Sequence, residues 1–131
     1  MYKKTITYVD YNGTERKEDF YFNLNKAEIT RMEMSITGGL TKYIERIVQA
    51  QDAPSLIAIF EDLIQKSYGI KTPDGKGFVK KPEYLEAFMS TEAYSELFME
   101  LAFDSDAASA FVNGIIPADL AKKAALAAEN K

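Results

Sequence analysis

The chain has 131 residues, with 20 acidic and 16 basic side chains, a net charge of −4 and a pI near 4.9. This length favours a single domain with a sizeable core, and an acidic chain without a basic cluster disfavours nucleic-acid binding. Because the sequence contains no cysteine and no histidine, disulfides, thiolate metal sites and histidine-based catalysis are excluded.

The N-terminal residues 3–24 are predicted to form a β-hairpin. They are rich in β-branched and aromatic side chains, and Asn12 with Gly13 is a turn signal. A two-residue turn there would set Ile6 opposite Asp19, which a longer loop or a bulge would avoid. Three side chains of the second strand would share one apolar face: Phe20, Phe22 and Leu24. This start of the chain has no apolar stretch typical of a signal peptide.

Short helices are predicted to follow the hairpin. Asn25 and Glu28 have the spacing of a capping box, which would open the first helix. Gly38 and Gly39 favour a corner before the second helix, since the lysine and spacing of an anion-binding P-loop are missing. Asp52 is predicted to cap the third helix, which has a wide apolar face.

Residues 70–81 are predicted to form a loop after the third helix. Gly69 is interpreted as the C-terminal stop of that helix, and Phe78 with Val79 as a short extended piece. Pro82 is predicted to begin the next helix.

Residues 91–103 are predicted to form the central helix of the fold. At helical spacing a main apolar stripe forms on one side, comprising Tyr94, Leu97, Phe98, Leu101 and Ala102. Met99 and Phe103 form a second apolar pair on the side that carries glutamates. Two interpretations are open: a helix packed on both flanks, or a helix that offers Met99 and Phe103 to a partner.

The last part of the chain combines a capped helix with a tail. Asp104 is predicted to cap a helix that Gly114 ends, because the residues after it do not complete a calcium-binding loop. Residues 117–131 have high helix propensity but few bulky apolar side chains, among them Leu120. We therefore expect them to form an exposed C-terminal tail that can become helical.

The predicted fold class is mostly α within an α+β architecture, a hairpin followed by a compact bundle of five to six short helices. Residues 1–116 would form a single globular domain, with the hairpin in 1–24 and the helices in 25–116. No apolar run approaches membrane-spanning length, so we expect no membrane partner. One core is expected, with Phe20 and Phe22 at its edge: Ile44, Phe60, Leu63, Tyr94, Leu97, Phe98 and Leu101.

Four stretches of the sequence carry a resemblance to a known family. They are DFYFNLNKAEI, SITGGL, LIQKSYGIK and TEAYSELFMELAFDSDAASAFVNGIIPADL, and in this order they span most of the chain. With them the chain resembles the small tail assembly chaperones of long-tailed, siphovirus-type phages or prophages of Gram-positive bacteria.

The resemblance implies a role in building the phage tail. Such a chaperone coats the tape measure protein, keeps it soluble, helps recruit tail tube subunits and leaves before the tail is complete. It implies action in the host bacterial cytoplasm, absence from the mature virion, and a longer form made by ribosomal frameshifting. The chain itself or that longer form is a further expected partner.

From the residues themselves, four apolar side chains are candidates for partner binding: Met89, Met99, Phe103 and Leu120. No cofactor, metal or nucleic-acid site is expected, and nothing converges on a catalytic centre, so we expect no enzyme. The alternative functions are a permanent virion component of the tail or head–tail connector and, third, a small enzyme.

Overall fold

The computed structural model describes residues 1–116 of the chain. Within them a hairpin is followed by six helices and two further short strands, which confirms the predicted mostly α, α+β fold class. The elements in chain order are β1 (Tyr2–Val9), β2 (Glu15–Phe22), α1 (Lys26–Ser35), α2 (Leu40–Gln49), α3 (Ala53–Ser67), β3 (Tyr68–Lys71), β4 (Phe78–Val79), α4 (Pro82–Met89), α5 (Glu92–Phe103) and α6 (Ser105–Ile115). The predicted tail, residues 117–131, lies outside the described residues.

The β1–β2 hairpin closes through a three-residue loop, which is the longer loop that the sequence left open as an alternative to a two-residue turn at Asn12 and Gly13. The amide of Asp10 donates to the carbonyl oxygen of Thr14 at 2.9 Å, and Gly13 has a φ of 81°. This loop length pairs Ile6 with Glu18 in the antiparallel register. A glycine in the left-handed region is what such a loop requires.

The strands β3 and β4 extend the hairpin into a four-stranded antiparallel sheet in the order β1-β2-β3-β4. The interpretation of Gly69 as a helix stop, with a loop from residue 70, is therefore wrong. Gly69 pairs with Tyr21 of β2, and a Cβ on it would lie 2.7 Å from Cε2 of Phe78. Glycine is needed here because β4 approaches the strand closely. The extended piece predicted at Phe78 and Val79 is confirmed.

Aromatic rings join the sheet to the helices. The ring of Phe22 is fully buried, with centroids 5.4 Å from Phe111, 5.8 Å from Tyr68 and 5.9 Å from Phe88. The rings of Tyr68 and Phe88 stack at 4.4 Å. The prediction that Phe22 lies at the edge of the core is wrong: it lies inside an aromatic cluster that links β2, β3, α4 and α6.

Helix α5 is central, as predicted, and packs against β1, α3, α4 and α6. Its side chains Ala93, Leu97 and Leu101 are buried, and Tyr94 is half-buried against the core. Of the other residues expected there, Phe60 and Leu63 are buried, Ile44 is half-buried against the core, and Phe98 is half-buried.

The N-terminus of α1 is fixed by the predicted capping box and by Lys80, the residue that follows β4. Asn25 Oδ1 accepts the amide hydrogen of Glu28 at 2.8 Å, and Glu28 Oε1 accepts that of Asn25 at 3.0 Å. Nζ of Lys80 lies 2.7 Å from Glu28 Oε1 and donates to the carbonyl oxygen of Asn23 at 2.7 Å. The start of the helical region is thereby tied to the sheet.

Gly114 lies inside α6 rather than ending it, so its interpretation as a helix stop is also wrong. A Cβ at this position would overlap the ring of Tyr2 in β1. The ring of Tyr2 also meets Phe111 edge to face at 5.6 Å. The first strand and the last described helix therefore make close contact.

We predict that Leu97→Ala lowers the free energy of unfolding by about 2–5 kcal/mol, because it leaves a cavity at a fully buried position. Chemical denaturation measures this loss. As a control, Ser95→Ala on the exposed side of the same helix should change stability by less than about 0.5 kcal/mol. An unchanged midpoint for Leu97→Ala would place Leu97 outside the core.

We also predict that Gly114→Ala destabilises the protein, although alanine is favoured over glycine by about 1 kcal/mol in a helix. The reason is overlap with the Tyr2 ring, since overpacking typically costs about 1–3 kcal/mol. The matched control is the reverse change at exposed Ala110 of the same helix, where Ala110→Gly should lower stability. Stabilisation by Gly114→Ala would contradict the close contact.

Candidate partner-binding groove

An apolar groove of about 540 Å³ opens between α2 and α3 on one side and α5 and α6 on the other. We call this surface the α2–α6 groove. Its lining residues are Thr41, Ile44, Glu45, Val48, Leu56, Phe60, Leu101, Ala102, Phe103, Ser105, Ala108, Ser109, Val112 and Asn113. Two helix pairs thus supply the walls of one groove.

The first wall is a helical hairpin whose turn is fixed by capping. Gln51, between α2 and α3, has a φ of 54°, which is unfavourable for a side-chain-bearing residue. Asp52 then caps α3, because its Oδ1 accepts the amide hydrogen of Ser55 at 3.2 Å and its Oδ2 the Ser55 hydroxyl at 2.6 Å. The hydrogen bonds from Ser55 lower the pKa of Asp52, because they stabilise the ionised carboxylate.

The second wall is formed by two helices joined through a single residue. The amide of Asp104 donates to the carbonyl oxygen of Glu100 at 2.9 Å, which ends α5. Oδ1 of the same residue accepts the amide hydrogens of Asp106 and Ala107 at 3.0 and 3.1 Å, which begins α6. Phe103 therefore stands at the corner between the two helices, and its exposed fraction is 80%.

The groove has a buried floor and a rim that mixes apolar and polar groups. Phe60, Leu101 and Ala108 are buried beneath it. Val48, with an exposed fraction of 54%, and Phe103 stand at the rim on opposite walls. Apolar groups this exposed, above an apolar floor, mark a surface that gains free energy when another apolar surface covers it.

The four side chains proposed from sequence for partner binding lie in different places. Phe103 lines the groove, whereas Met99 lies one turn earlier on α5, half exposed and outside the lining. Met89, at the end of α4, has an exposed fraction of 40% and is also outside the lining. Leu120 lies outside the described residues. Met99 and Phe103, the second apolar pair of α5, are exposed to solvent rather than packed within the described domain.

The groove also uses residues that sequence patterns did not single out as binding residues. Ile44, Val48 and Leu56 line it, and all three read as parts of buried helix faces. For Val48 the helical spacing gave its place on the apolar stripe of α2 but not its exposure.

The glycine corner before α2 does not offer an anion site. The N-terminus of α2 is already occupied by a side chain of this chain, because Glu33 Oε1 accepts the amide hydrogen of Leu40 at 3.1 Å. Gly38 and Gly39 have φ values of 82° and 87°, as a tight corner requires. The carboxylate of Glu33 therefore takes the place that a bound anion would take.

Two further findings concern other kinds of site. Among residues 1–116, no three acidic side chains are grouped so that they could hold a metal ion. In the same part of the chain, every helix is too short or too polar to cross a lipid bilayer.

Fold and groove together define a class: a small α+β protein that presents an apolar groove between two helix pairs. The sequence matches the family model for phage tail assembly chaperones over residues 1–131. The chain therefore belongs to the phage tail assembly chaperone family. No curated protein and no solved structure matches it.

Proposed function

We propose that this chaperone binds apolar helical segments of the tape measure protein in the α2–α6 groove and keeps them soluble during tail assembly. The observation that carries the proposal is the groove itself, with Phe103 exposed at its corner in a protein of this family. The proposal includes recruitment of tail tube subunits once the tape measure protein is coated.

The groove suits an amphipathic helix as its ligand. Helix-in-groove recognition places apolar side chains at positions i, i+3, i+4 and i+7 into an apolar channel. The walls at Val48 and Phe103 are apolar, whereas Thr41, Ser109 and Asn113 provide polar groups at the same surface. Such a mixture supports binding that can be reversed, as an assembly factor requires, because polar groups on the surface lower the gain from burial.

Met99 is a second proposed contact of the tape measure protein. Met99 lies four residues before Phe103 on α5 and extends its apolar surface beyond the groove. Methionine is flexible and polarisable, so it can contact ligand side chains of different shapes. Met89 and Leu120 remain predicted contacts.

The proposed setting is the cytoplasm of a host bacterium, Gram-positive if the resemblance to siphovirus-type chaperones holds. The proposed activity is binding without catalysis. The acidic net charge of −4 supports a highly soluble carrier for an apolar ligand. Self-association and a longer frameshifted product stay predictions from the resemblance.

We predict that Phe103→Glu leaves unfolding cooperative but weakens tape measure binding by about tenfold or more, because a charge in a desolvated contact costs more than about 1–3 kcal/mol. Co-expression with the tape measure protein, co-purification and titration with its soluble segments measure the effect. The matched control is Met34→Glu, which changes an equally exposed apolar side chain on α1, away from the groove.

Three results would contradict this assignment. If Phe103→Glu unfolds the protein, Phe103 supports the fold. If Met34→Glu weakens binding as much as Phe103→Glu does, the effect is one of general charge and the contact surface lies elsewhere. If the unmodified protein neither solubilises nor co-purifies with any tape measure segment, the proposed function is wrong.

We further predict that mass spectrometry of purified phage particles finds this protein absent or far below the copy number of tail proteins. The reason is that a chaperone leaves before the tail is complete. Recovery in many copies per particle would instead indicate a permanent component of the tail or the head–tail connector.

A further inference from the structure

The described chain ends beside the groove. Helix α6 lines the groove from Ser105 to Asn113, and residue 116 follows three residues later. Ile116 has an extended conformation, with φ −83° and ψ 140°, as the residue before a proline prefers. The described chain therefore leaves the helical conformation at Ile116, three residues after the last residue of α6 that lines the groove.

The next 15 residues, 117–131, are long enough to run back along the groove. As a helix they would span about 22 Å, against about 14 Å for the nine residues of α6 that border the groove. Even a partly helical segment of this length therefore reaches from Asn113 to the corner at Phe103.

The composition of residues 117–131 fits an apolar groove. At helical spacing, one large and four small apolar side chains fall on one stripe: Leu120, Ala121, Ala124, Ala127 and Ala128. Small residues allow a helix to approach its neighbours closely, and Leu120 would provide one anchor. Leu126 falls off this stripe.

The charges are also complementary. Residues 117–131 carry three lysines and two acidic side chains, although the chain as a whole has more acidic than basic residues. Glu45 lines the groove, and Asp104 and Asp106 lie at its corner. A segment with a basic excess is favoured on this surface over a segment with the average charge of the chain.

We propose that residues 117–131 occupy the α2–α6 groove of their own chain when no ligand is bound, with Leu120 on the groove floor. The tape measure protein then binds by displacing this segment, a step that rests on the function proposed above. Occupation of the groove by its own tail would cover the rim residues Val48 and Phe103 and so limit self-aggregation.

The test uses the full chain, whose lack of cysteine permits a single spin label at Lys123→Cys. In an isotope-labelled protein without any ligand, the label should broaden the amide signals of Val48, Phe103 and Val112. Adding Leu120→Asp should abolish this broadening, because a carboxylate is expelled from the apolar floor. Adding Leu126→Asp, the matched control, should leave it unchanged.

Absence of broadening at the groove in the singly labelled protein would overturn the proposal. Broadening that also appears in mixtures of isotope-labelled and spin-labelled copies would show that a second copy supplies the segment, and would overturn it as well. Because no ligand is present, these outcomes do not depend on tape measure binding.

A second measurement links the segment to the proposed function. If the segment fills the groove about 90% of the time, Ala124→Asp should raise the affinity for a soluble tape measure segment about tenfold, since the competent fraction sets the apparent dissociation constant. Ala124 lies on the same stripe as Leu120 but is not a predicted tape measure contact. An unchanged or lower affinity would show that residues 117–131 do not compete with the tape measure segment for the groove. If neither the unmodified protein nor the variant binds the tape measure segment, the proposed function is wrong. The spin-label result alone then decides whether residues 117–131 occupy the groove.

Discussion

The fold depends on the packing of aromatic rings around Phe22 and Phe88. Phe88 meets Phe20 at 5.0 Å, Tyr94 at 5.6 Å and Tyr68 at 4.4 Å, and Phe22 joins this cluster to α6 through Phe111. Each pair of this kind contributes about 0.5–1.5 kcal/mol beyond the burial of its area. The cluster holds a small sheet against α4, α5 and α6, and so fixes α5 and α6, which form one wall of the groove.

The groove lies where the α2–α3 hairpin meets the rest of the domain. The α2–α3 hairpin meets α5 through α3, and it makes none of the described ring contacts of the aromatic cluster. Between this hairpin and the α5–α6 corner the walls diverge, and apolar side chains remain in solvent. On the side of the molecule with the groove, Val48 and Phe103 therefore keep much of their apolar surface in solvent.

Sequence reasoning succeeded where the signal was local. The caps Asn25, Asp52 and Asp104 were predicted because each needs only a polar side chain two or three residues before a free amide, and all three are observed. Phe103 was separated from the buried stripe of α5 by helical geometry alone. Its exposure follows from the same geometry, because no other described element covers that side of the helix end.

Sequence reasoning failed where a residue's role depends on a distant partner. Gly69 and Gly114 were taken as helix stops, but each is required by a ring from elsewhere in the chain, Phe78 and Tyr2. Strand β3 was missed because its four residues follow a long helix and gain their pairing from β2. The exposure of Val48 was not foreseen, because periodicity shows which residues share a face and not whether a neighbour covers all of it.

The contact between Tyr2 and Gly114 has a consequence for synthesis in the cell. Strand β1 leaves the ribosome before α6, and its packing partner on α6 is made only after more than a hundred further residues. Until then the apolar side of the hairpin has no helix α6 to cover it, and a lone hairpin is marginally stable in water. A member of a chaperone family thus passes through a stage in which its own strand β1 is not yet packed against α6.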